Sequence, residues 1–342
     1  MGSVSDITLG GAISVATHGS STHHKVISGY ITNLEILSSS GDIYRCSEEQ
    51  HSEVFFSALC GLGSIGILLN ATIQCEPSFL LHQYAYATSI YDFVDNIHDF
   101  LDTSYVKINW YPHTDRVLVL NSSKVYEVKP TQFNIIERVY QWVLYKALGH
   151  YCYEFWLWAS TFCPRLTPLI NKFFFAAVHS QFVEKVDHSH EIMKMDCLFS
   201  QHVNEWAIPM EKTGLALLEL IQLIETPQNE IFAHFPIEIR FSSPDQIYLS
   251  PSFGRDTCYI NIIIYRPYGK EVPYQKFWNS FEQIMKQNDG RPHWAKAHKE
   301  NGLSLRKMYP NYTNWVQTRK RMDPISMFTN SYIDRVLLST TA

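Results

Sequence analysis

Glu238 and Arg240 form the first pair of residues in the sequence that could do chemistry. They lie in the apolar run FPIEIRF, residues 235–241. Side chains on a β-strand alternate between its two faces, so Glu238 and Arg240 share one face while Ile237 and Ile239 take the other. An acid beside a guanidinium could hold a polyhydroxylated ligand. An ordinary cross-strand ion pair is the alternative interpretation.

A second candidate stretch is GRPHWAKAH, residues 290–298, which contains His293 and Lys296. A lysine can stabilise negative charge that develops on an oxygen or on a cofactor, and a histidine can move protons near neutral pH. Surface residues beside a tryptophan are the alternative interpretation.

The third candidate is GGAISVATHGSS, residues 10–21, read as a loop. Its glycines, Gly10, Gly11 and Gly19, let backbone N–H groups approach an anion closely, and Thr17 and Ser20 add hydroxyl donors. A surface loop is the alternative. A second glycine-rich stretch, GLGSIG at 61–66, precedes a strand rather than a helix and is not a GxGxxG motif, so it does not indicate a dinucleotide-binding βαβ unit.

Composition limits the class of protein. The chain has 342 residues, 46% apolar and 18% charged, which predicts about two folded domains. A net charge of −5 without a basic stripe argues against nucleic-acid binding. The seven cysteines are scattered without a CxxC pair, so the sequence predicts neither a metal site nor a disulfide framework.

The elements that must position these residues fall into two parts. Residues 26–74 are strand-rich, with a hairpin turn at 40–42 and a helix that starts at Ser47 as its N-cap. The stretch GSIGILLNATIQC, residues 63–75, then predicts a buried strand entered through glycines. We place a domain boundary near residue 78, after Pro77. Beyond residue 199, strands alternate with helices, which predicts an α+β second domain.

Residues 131–180 form a tryptophan-rich, apolar, helical segment. Lys146, His150 and Glu154 make a narrow polar stripe at i, i+4 and i+8, and charges keep every apolar run below the length of a spanning helix. Two interpretations stay open here. One is a helical hairpin that lies in a membrane interface, and the other is a buried helical pair inside the domain.

Seven blocks together show a family resemblance over nearly the whole chain: GGAISVATHGSS, GLGSIGI, HVNEWAIP, PIEIRF, RPYGK, GRPHWAKAH and DPISMFTNSY. Their order resembles that of the aldonolactone oxidases, flavoproteins of the vanillyl-alcohol oxidase type. The resemblance implies an α+β fold with part of an FAD-binding domain at 1–78 and a substrate, or cap, domain at 79–342. It also implies that 131–180 is membrane-associated and that 309–342 returns toward the flavin.

The resemblance implies roles for individual residues, with FAD as the cofactor. Glu238, Arg240, Lys296 and, less directly, His293 correspond to catalytic positions. Asn261, together with the Glu238–Arg240 pair, corresponds to a substrate-binding position. It stands where related alditol oxidases carry a histidine, so we assign no histidine base there. The expected flavin-binding residues are Gly10, Gly11, Thr17, His18, Gly19, Ser20, Gly63, Gly66 and Ile67.

The activity that the resemblance implies is oxidation of L-gulono-1,4-lactone, or a related aldonolactone, at C2. Oxygen would be the acceptor, and L-ascorbate and hydrogen peroxide the products. The expected partners are the lactone, oxygen and a membrane surface, without nucleic acid or metal. The endoplasmic reticulum (microsomal) membrane is the expected location.

One departure from the family pattern concerns the first residues of the sequence. In the family, an α/β subdomain with a VGGGHS-type, flavin-linking loop precedes the GG…THG block, and this sequence has no such loop. The sequence therefore predicts a truncated form, an alternative product or an incomplete gene model, and we expect the chain as given to bind FAD poorly and to have little oxidase activity. A non-catalytic protein that docks on membranes or on a partner is the alternative function, and a dehydrogenase with another electron acceptor is a further alternative.

Overall fold

Two antiparallel sheets organise the chain in the computed structural model. The structure describes residues 6–126, 129–131, 135–194 and 199–338. Residues 132–134 of the predicted membrane-associated segment and 339–342 of the predicted C-terminal segment therefore lie outside the described residues. A three-stranded sheet has the order β2-β1-β3, and an eight-stranded sheet has the order β11-β8-β10-β9-β5-β6-β4-β7.

The strands of both sheets have the following bounds: β1 Ile31–Leu37, β2 Ile43–Ser47, β3 Ile67–Ile73, β4 Leu80–Ser89, β5 Tyr105–Tyr111, β6 Arg116–Val125, β7 Val183–His188, β8 Gln201–Pro209, β9 Ile237–Ser242, β10 Thr257–Tyr265 and β11 Arg291–Pro292. The predicted boundary at residue 78 falls between β3 in the small sheet and β4 in the large one. This boundary stays a prediction.

The α-helices are α1 Leu9–Ser14, α2 Ser52–Ala58, α3 Ile90–Asp95, α4 Ile97–Leu101, α5 Ile135–Trp142, α6 Tyr153–Ser160, α7 Thr167–Phe174, α8 Ser189–Met193, α9 Thr213–Glu225, α10 Gln275–Gln287, α11 Gly302–Met308, α12 Tyr312–Met322 and α13 Ser331–Ile333. Three π-helical segments cover Val143–Cys152, Phe175–His179 and Asp334–Leu338. Short 3₁₀ turns cover Ile27–Tyr30, Pro164–Leu166, Met210–Lys212, Pro227–Asn229 and Pro267–Gly269.

The small sheet confirms the predicted hairpin and corrects two details. Strands β1 and β2 pair antiparallel up to Leu37 and Ile43, and Gly41 has the positive φ that its turn requires. The next helix begins at Ser52, so the predicted start at Ser47 is wrong. Ser47 ends β2, and its hydroxyl accepts the N–H groups of Glu49 and Gln50 in the turn that follows.

Strand β3 is exposed, which contradicts the prediction of a buried strand. It pairs with β1 along one edge, and its Ile67 and Leu69 side chains are about half exposed. The apolar run of this strand is typical of a buried one, but the strand lies at the edge of a three-stranded sheet. The position of β3 in the sheet, and not its own sequence, determines how exposed its side chains are.

The large sheet buries one face of its central strands in the main apolar core. Ile237, Ile239 and Phe241 of β9 pack with Ile260 of β10 and with buried side chains of helices α9 and α10. The same alternation sends Glu238 and Arg240 to the opposite face, as the sequence predicts. The core therefore fixes the strands that carry the candidate polar residues.

The apolar helices of 131–180 show features of both interpretations, the buried helical pair and the hairpin in a membrane interface. Leu157 of α6 and Phe174 of α7 are buried against the sheet, in a cluster with Tyr111 of β5. On the outer side, Trp156 and Phe162 are exposed. Across the parts of the chain that the structure describes, no helix has the length and apolarity to cross a bilayer.

The predicted polar stripe on this segment is only partly formed. Lys146 and His150 lie in the π-helical stretch Val143–Cys152, where side chains do not follow the 3.6-residue period of an α-helix. His150 still approaches Glu154, at 4.0 Å between Nε2 and Oε2. Glu154 also accepts the N–H of Tyr268, so the stripe faces a neighbouring turn as well as solvent.

The last helices return to the N-terminal elements. Trp315 of α12 is fully buried, and its indole N–H lies 3.0 Å from the Ser57 carbonyl of α2 and 3.2 Å from that of Cys60. This second core also contains Trp294, which lies two residues before Lys296. The N-terminal and C-terminal segments therefore hold the HWAK stretch in place together.

Candidate active site

The first half of the GGAISVATHGSS stretch is a helix, and its interpretation as part of a loop is wrong. Gly10 and Gly11 lie in α1, where the Thr8 hydroxyl accepts the N–H of Gly11 as an N-cap. Ala12 and Ile13 are buried and anchor the helix. The Gly11 N–H is therefore engaged in the helix cap, because packing of the next two residues favours the helical turn.

The second half of the stretch does lie at the candidate site. Ser21 N–H donates to the Phe241 carbonyl at 2.9 Å, and Val106 N–H donates to the Ser20 carbonyl at 3.2 Å. Residues 20–21 therefore bridge the ends of β5 and β9. His18, just before them, stacks on Tyr259 of β10 with ring centroids 3.6 Å apart.

Glu238 is the centre of a buried polar group on the face opposite the main core. Its carboxylate is paired with Arg240, and Lys107 Nζ of β5 lies 2.7 Å from its Oε1. Asn261 lies directly across from Glu238 in β10 and donates to its Oε2 at 3.2 Å. Strand β9 itself and its two neighbours, β5 and β10, thus bring three hydrogen-bonding side chains to one carboxylate.

The surroundings of Glu238 keep it ionised. Burial on its own would raise the pKa of its carboxyl, but the charges of Arg240 and Lys107 outweigh burial and lower that pKa to about 2. Burial lowers the pKa of the Lys107 ammonium, with Glu238 opposing the change. Glu238 is therefore a hydrogen-bond acceptor at physiological pH and a weak proton acceptor.

A second buried carboxylate, Glu205 of β8, joins the remaining candidate residues. Its Oε1 lies 3.1 Å from His18 Nε2, and its Oε2 lies 3.9 Å from Lys296 Nζ. Its backbone carbonyl accepts the N–H of His293 at 2.9 Å. Asn261 of β10 is paired with Glu205 of β8 on one side and with Glu238 of β9 on the other, so the two carboxylate groups belong to one site.

His293 is a weaker proton acceptor than its residue type indicates. Burial lowers the pKa of its imidazole to about 3, so the ring is neutral at physiological pH. Its Nδ1 accepts the N–H of Ala295 at 3.1 Å, which fixes the start of the turn toward Lys296. The structure therefore gives His293 a place at the site, and the low basicity argues against a role as general base near pH 7.

The ligand atoms of His18, Glu205 and His293 lie within 4.8 Å of one another. This spacing suits a metal ion, but the cationic side chains of Arg240 and Lys296 belong to the same site. Their charges would oppose a divalent cation, so the cluster does not carry a metal assignment.

The residues at the site fit a planar, electron-accepting cofactor beside a hydroxylated substrate. Arg240 Nε and Asn261 Oδ1 are buried, and among the described residues they have no hydrogen-bond partner. A bound ligand or an ordered water would satisfy such buried polar atoms. Lys296 and residues 18–20 would hold the flavin of FAD, the cofactor expected from the sequence, and the positive charge of Lys296 suits the negative charge of its reduced form.

Gly63, Gly66 and Ile67 lie where the glycine-rich stretch leads into β3. A Cβ at Gly66 would come within 2.6 Å of the Leu37 carbonyl oxygen, so the chain itself fills the space beside this glycine. Gly63 faces open space, and Ile67 is half exposed. Their expected contact with the adenosine end of FAD stays a prediction.

Three residues at the site did not emerge as candidates from the sequence: Lys107, Glu205 and Tyr259. Each lies at an alternate position of a strand whose other face is apolar, as Glu238 does. For Glu205 a signal was present, because HVNEWAIP places a charged residue beside Trp206 in a strand. A lone charge in such a strand becomes informative only when its neighbours in the sheet are known.

Comparisons with known proteins identify the family. A model of the D-arabinono-1,4-lactone oxidase (aldonolactone oxidase) family matches residues 71–336. The L-gulonolactone oxidase of Scyliorhinus torazame is 40% identical over 336 residues, which cover 98% of this chain and 74% of the relative. The chain belongs to this family. The L-gulonolactone oxidase of Bos taurus is also 40% identical, over 98% of this chain and 75% of the relative.

Family membership makes the chain an oxidoreductase of the FAD-dependent, oxygen-using class and confirms the resemblance seen in the sequence. The fold agrees with this assignment. A crystal structure of cholesterol oxidase from B. sterolicum superimposes with a TM-score of 0.73 at 15% identity, over 98% of this chain and 76% of that one. This likeness confirms the predicted α+β, vanillyl-alcohol oxidase-type fold.

Proposed function

We propose that this aldonolactone oxidase family member oxidises L-gulono-1,4-lactone, or a closely related aldonolactone, at C2. FAD would be the cofactor and oxygen the acceptor, and L-ascorbate and hydrogen peroxide would be the products. The observation that carries the proposal is the convergence of Glu238 and Arg240 with Glu205 and Lys296 on one buried sheet face. The names of the gulonolactone oxidase relatives support the choice of lactone.

The side chains divide the work of holding the substrate. Glu238, ionised and buried, would accept a hydrogen bond from one hydroxyl group of the lactone at Oε1 and so help to fix its orientation, since Arg240, Lys107 and Asn261 take its other acceptor positions. Asn261, with its free Oδ1, would complete this contact. The guanidinium of Arg240 would face the oxygen at C2 and would offset negative charge that develops there during the reaction.

The flavin, when bound, supplies the acceptor for the C2 hydride and passes the electrons to oxygen. Lys296 would face the cofactor's electron-rich edge; its side chain is partly exposed, and Glu205 Oε2 lies 3.9 Å from its Nζ. His293 holds the turn that carries Lys296, through its bond to Ala295. The residues of this chain thus contribute orientation and a positive field.

The proposal is tested with the purified chain supplied with FAD. We expect L-gulono-1,4-lactone to yield hydrogen peroxide and ascorbate in equal amounts, measured by a peroxidase-coupled assay and by chromatography. L-galactono- and D-arabinono-1,4-lactone, run in parallel, rank the related substrates. A chain that retains FAD after desalting but oxidises none of the three lactones would contradict the proposal.

We also propose that the hairpin of α6 and α7 attaches the protein to the surface of the endoplasmic reticulum membrane. Leu157 and Phe174 pack the inner side of the hairpin against the sheet. The exposed aromatic residues on its outer side do not contribute to that apolar cluster. Exposed, large apolar residues cluster here: Phe155, Trp156, Phe162, Leu169 and Phe173. Aromatic side chains are typical of the headgroup level of a bilayer.

Replacing Phe155, Trp156 and Phe162 with serine should release the protein from membranes. Because burial of each large apolar side chain contributes about 2 kcal/mol, the bound fraction should fall by more than about tenfold in sedimentation with phosphatidylcholine–phosphatidylserine vesicles. The control is Leu215 and Leu218 of α9, two exposed leucines outside the hairpin, also changed to serine. Equal loss of binding in both variants, or a wild-type chain that stays in the supernatant, would contradict the attachment.

A further inference from the structure

Glu205 takes no direct part in the substrate contacts proposed above. It is 3% exposed and lies on β8, two strands away from Glu238. One carboxylate oxygen contacts His18 and the other approaches Lys296. Glu205 therefore links a turn near the beginning of the chain to the HWAK stretch near its end.

The hydrogen bonds of His18 fix the protonation of its ring. Nδ1 lies 2.9 Å from the Gly19 carbonyl oxygen, which only accepts hydrogen bonds. Nε2 lies 3.1 Å from Glu205 Oε1. The other carboxylate oxygen of Glu205, Oε2, lies 3.9 Å from the Lys296 ammonium, which favours an ionised carboxylate. In this geometry Glu205 accepts and both ring nitrogens of His18 donate.

Several charged groups face this pair from the surrounding elements. Lys296 and His293 approach from the HWAK turn, and His293 is neutral. Glu238 and its partners on β5 and β9, Lys107 and Arg240, lie on the same face. Counting an imidazolium at His18, the site holds four cations and two carboxylates. Removing the Glu205 charge would leave a buried imidazolium beside three other cations, which is strongly unfavourable.

We propose that Glu205 is a positioning residue that keeps His18 doubly protonated and draws the Lys296 ammonium to the side of the site that carries Arg240. Its kinetic consequence rests on the proposed function, because the cations it organises would face the negative charge of the reaction. The protonation of His18 does not depend on that function. The charge of the site therefore depends on the contacts of Glu205 with His18, near the beginning of the chain, and with Lys296 of the HWAK stretch.

Nitrogen NMR of the full chain labelled with [¹⁵N]histidine tests the first part directly. The His18 signal is assigned by its absence in His18→Gln. In the wild type at pH 7 we expect both ring nitrogens to carry a proton, and in Glu205→Gln only one. Glu282→Gln is the matched control, a buried glutamate on α10 that accepts from Asn204 and Trp278. A doubly protonated His18 in Glu205→Gln, or a singly protonated one in the wild type, would overturn the proposal.

Kinetics test the second part. With FAD and L-gulono-1,4-lactone, Glu205→Gln should lower kcat by about tenfold to a hundredfold with a smaller change in KM, since misplaced catalytic groups mainly affect the transition state. Glu205→Asp keeps the charge and should recover part of the loss. Full activity in Glu205→Gln would overturn the positioning role. A wild-type chain without lactone oxidase activity would contradict the proposed function, and the His18 signal would then decide on Glu205 separately.

Discussion

Replacing Arg240 with alanine is expected to lower kcat/KM for lactone oxidation by about a hundredfold to a thousandfold. The guanidinium would stabilise negative charge at the reacting oxygen, and loss of one such donor typically has an effect of this size. The change also removes the side chain whose charge most lowers the pKa of Glu238. The Glu238 carboxylate would still contact Lys107 and Asn261. Steady-state kinetics with the FAD-loaded protein measure the effect.

Two further variants separate charge from geometry in this prediction. Arg240→Lys retains the positive charge but loses the planar, forked donor, so its activity should lie between those of the wild type and of Arg240→Ala. Arg306→Ala, at an exposed position of α11, should leave kcat/KM unchanged. If Arg240→Ala keeps at least half of the wild-type kcat/KM, Arg240 does not contact the reacting part of the substrate.

Replacing Gly66 with alanine is expected to lower the free energy of unfolding by about 3 kcal/mol or more. The glycine has φ +153°, and a Cβ would lie 2.6 Å from both the Leu37 carbonyl oxygen and Ile36 Cγ2. Backbone atoms of β1 cannot give way cheaply, so the small sheet would have to shift. Urea unfolding followed by circular dichroism measures the loss.

Gly63 provides the matched control for Gly66. It also has a positive φ, +69°, but a Cβ there would meet no atom within 4 Å. Gly63→Ala should therefore lower the free energy of unfolding by only about 1 kcal/mol, the usual cost of a left-handed backbone at alanine. Equal losses in the two variants would show that backbone conformation, and not the contact with β1, makes glycine necessary at residue 66.

The local pattern of β9 was enough to predict its geometry. Alternation of Glu238, Arg240 and the isoleucines between them determines which side chains share a face, because it depends on strand geometry alone. The hairpin at Ser40–Asp42 was predictable for the same reason, since turn residues between two alternating runs act locally. The ordered sequence blocks also identified the family and its fold, which the comparisons confirm.

Where the prediction was wrong, local sequence competed with contacts elsewhere. Gly10 and Gly11 have low helix propensity, yet they lie in α1 because Thr8 caps it and Ala12 and Ile13 are buried. The apolar residues of β3 resemble those of a buried strand, yet this strand is exposed at the edge of its sheet. For residues 131–180 the sequence could not decide between a buried helical pair and a hairpin in a membrane interface. The helices carry apolar residues both on the side that packs on the sheet and on the outer side.

The sequence by itself determined the strand faces, the hairpin and the family, because these follow from short-range periodicity and from ordered motifs. Tertiary structure alone decided which charges meet. His18 and Glu205 are 187 residues apart, and no local pattern relates them. Lys107 reaches Glu238 only because β5 lies beside β9 in the sheet. Electrostatic interactions depend on distance in space, so the charge of this site exists only once the sheet has formed.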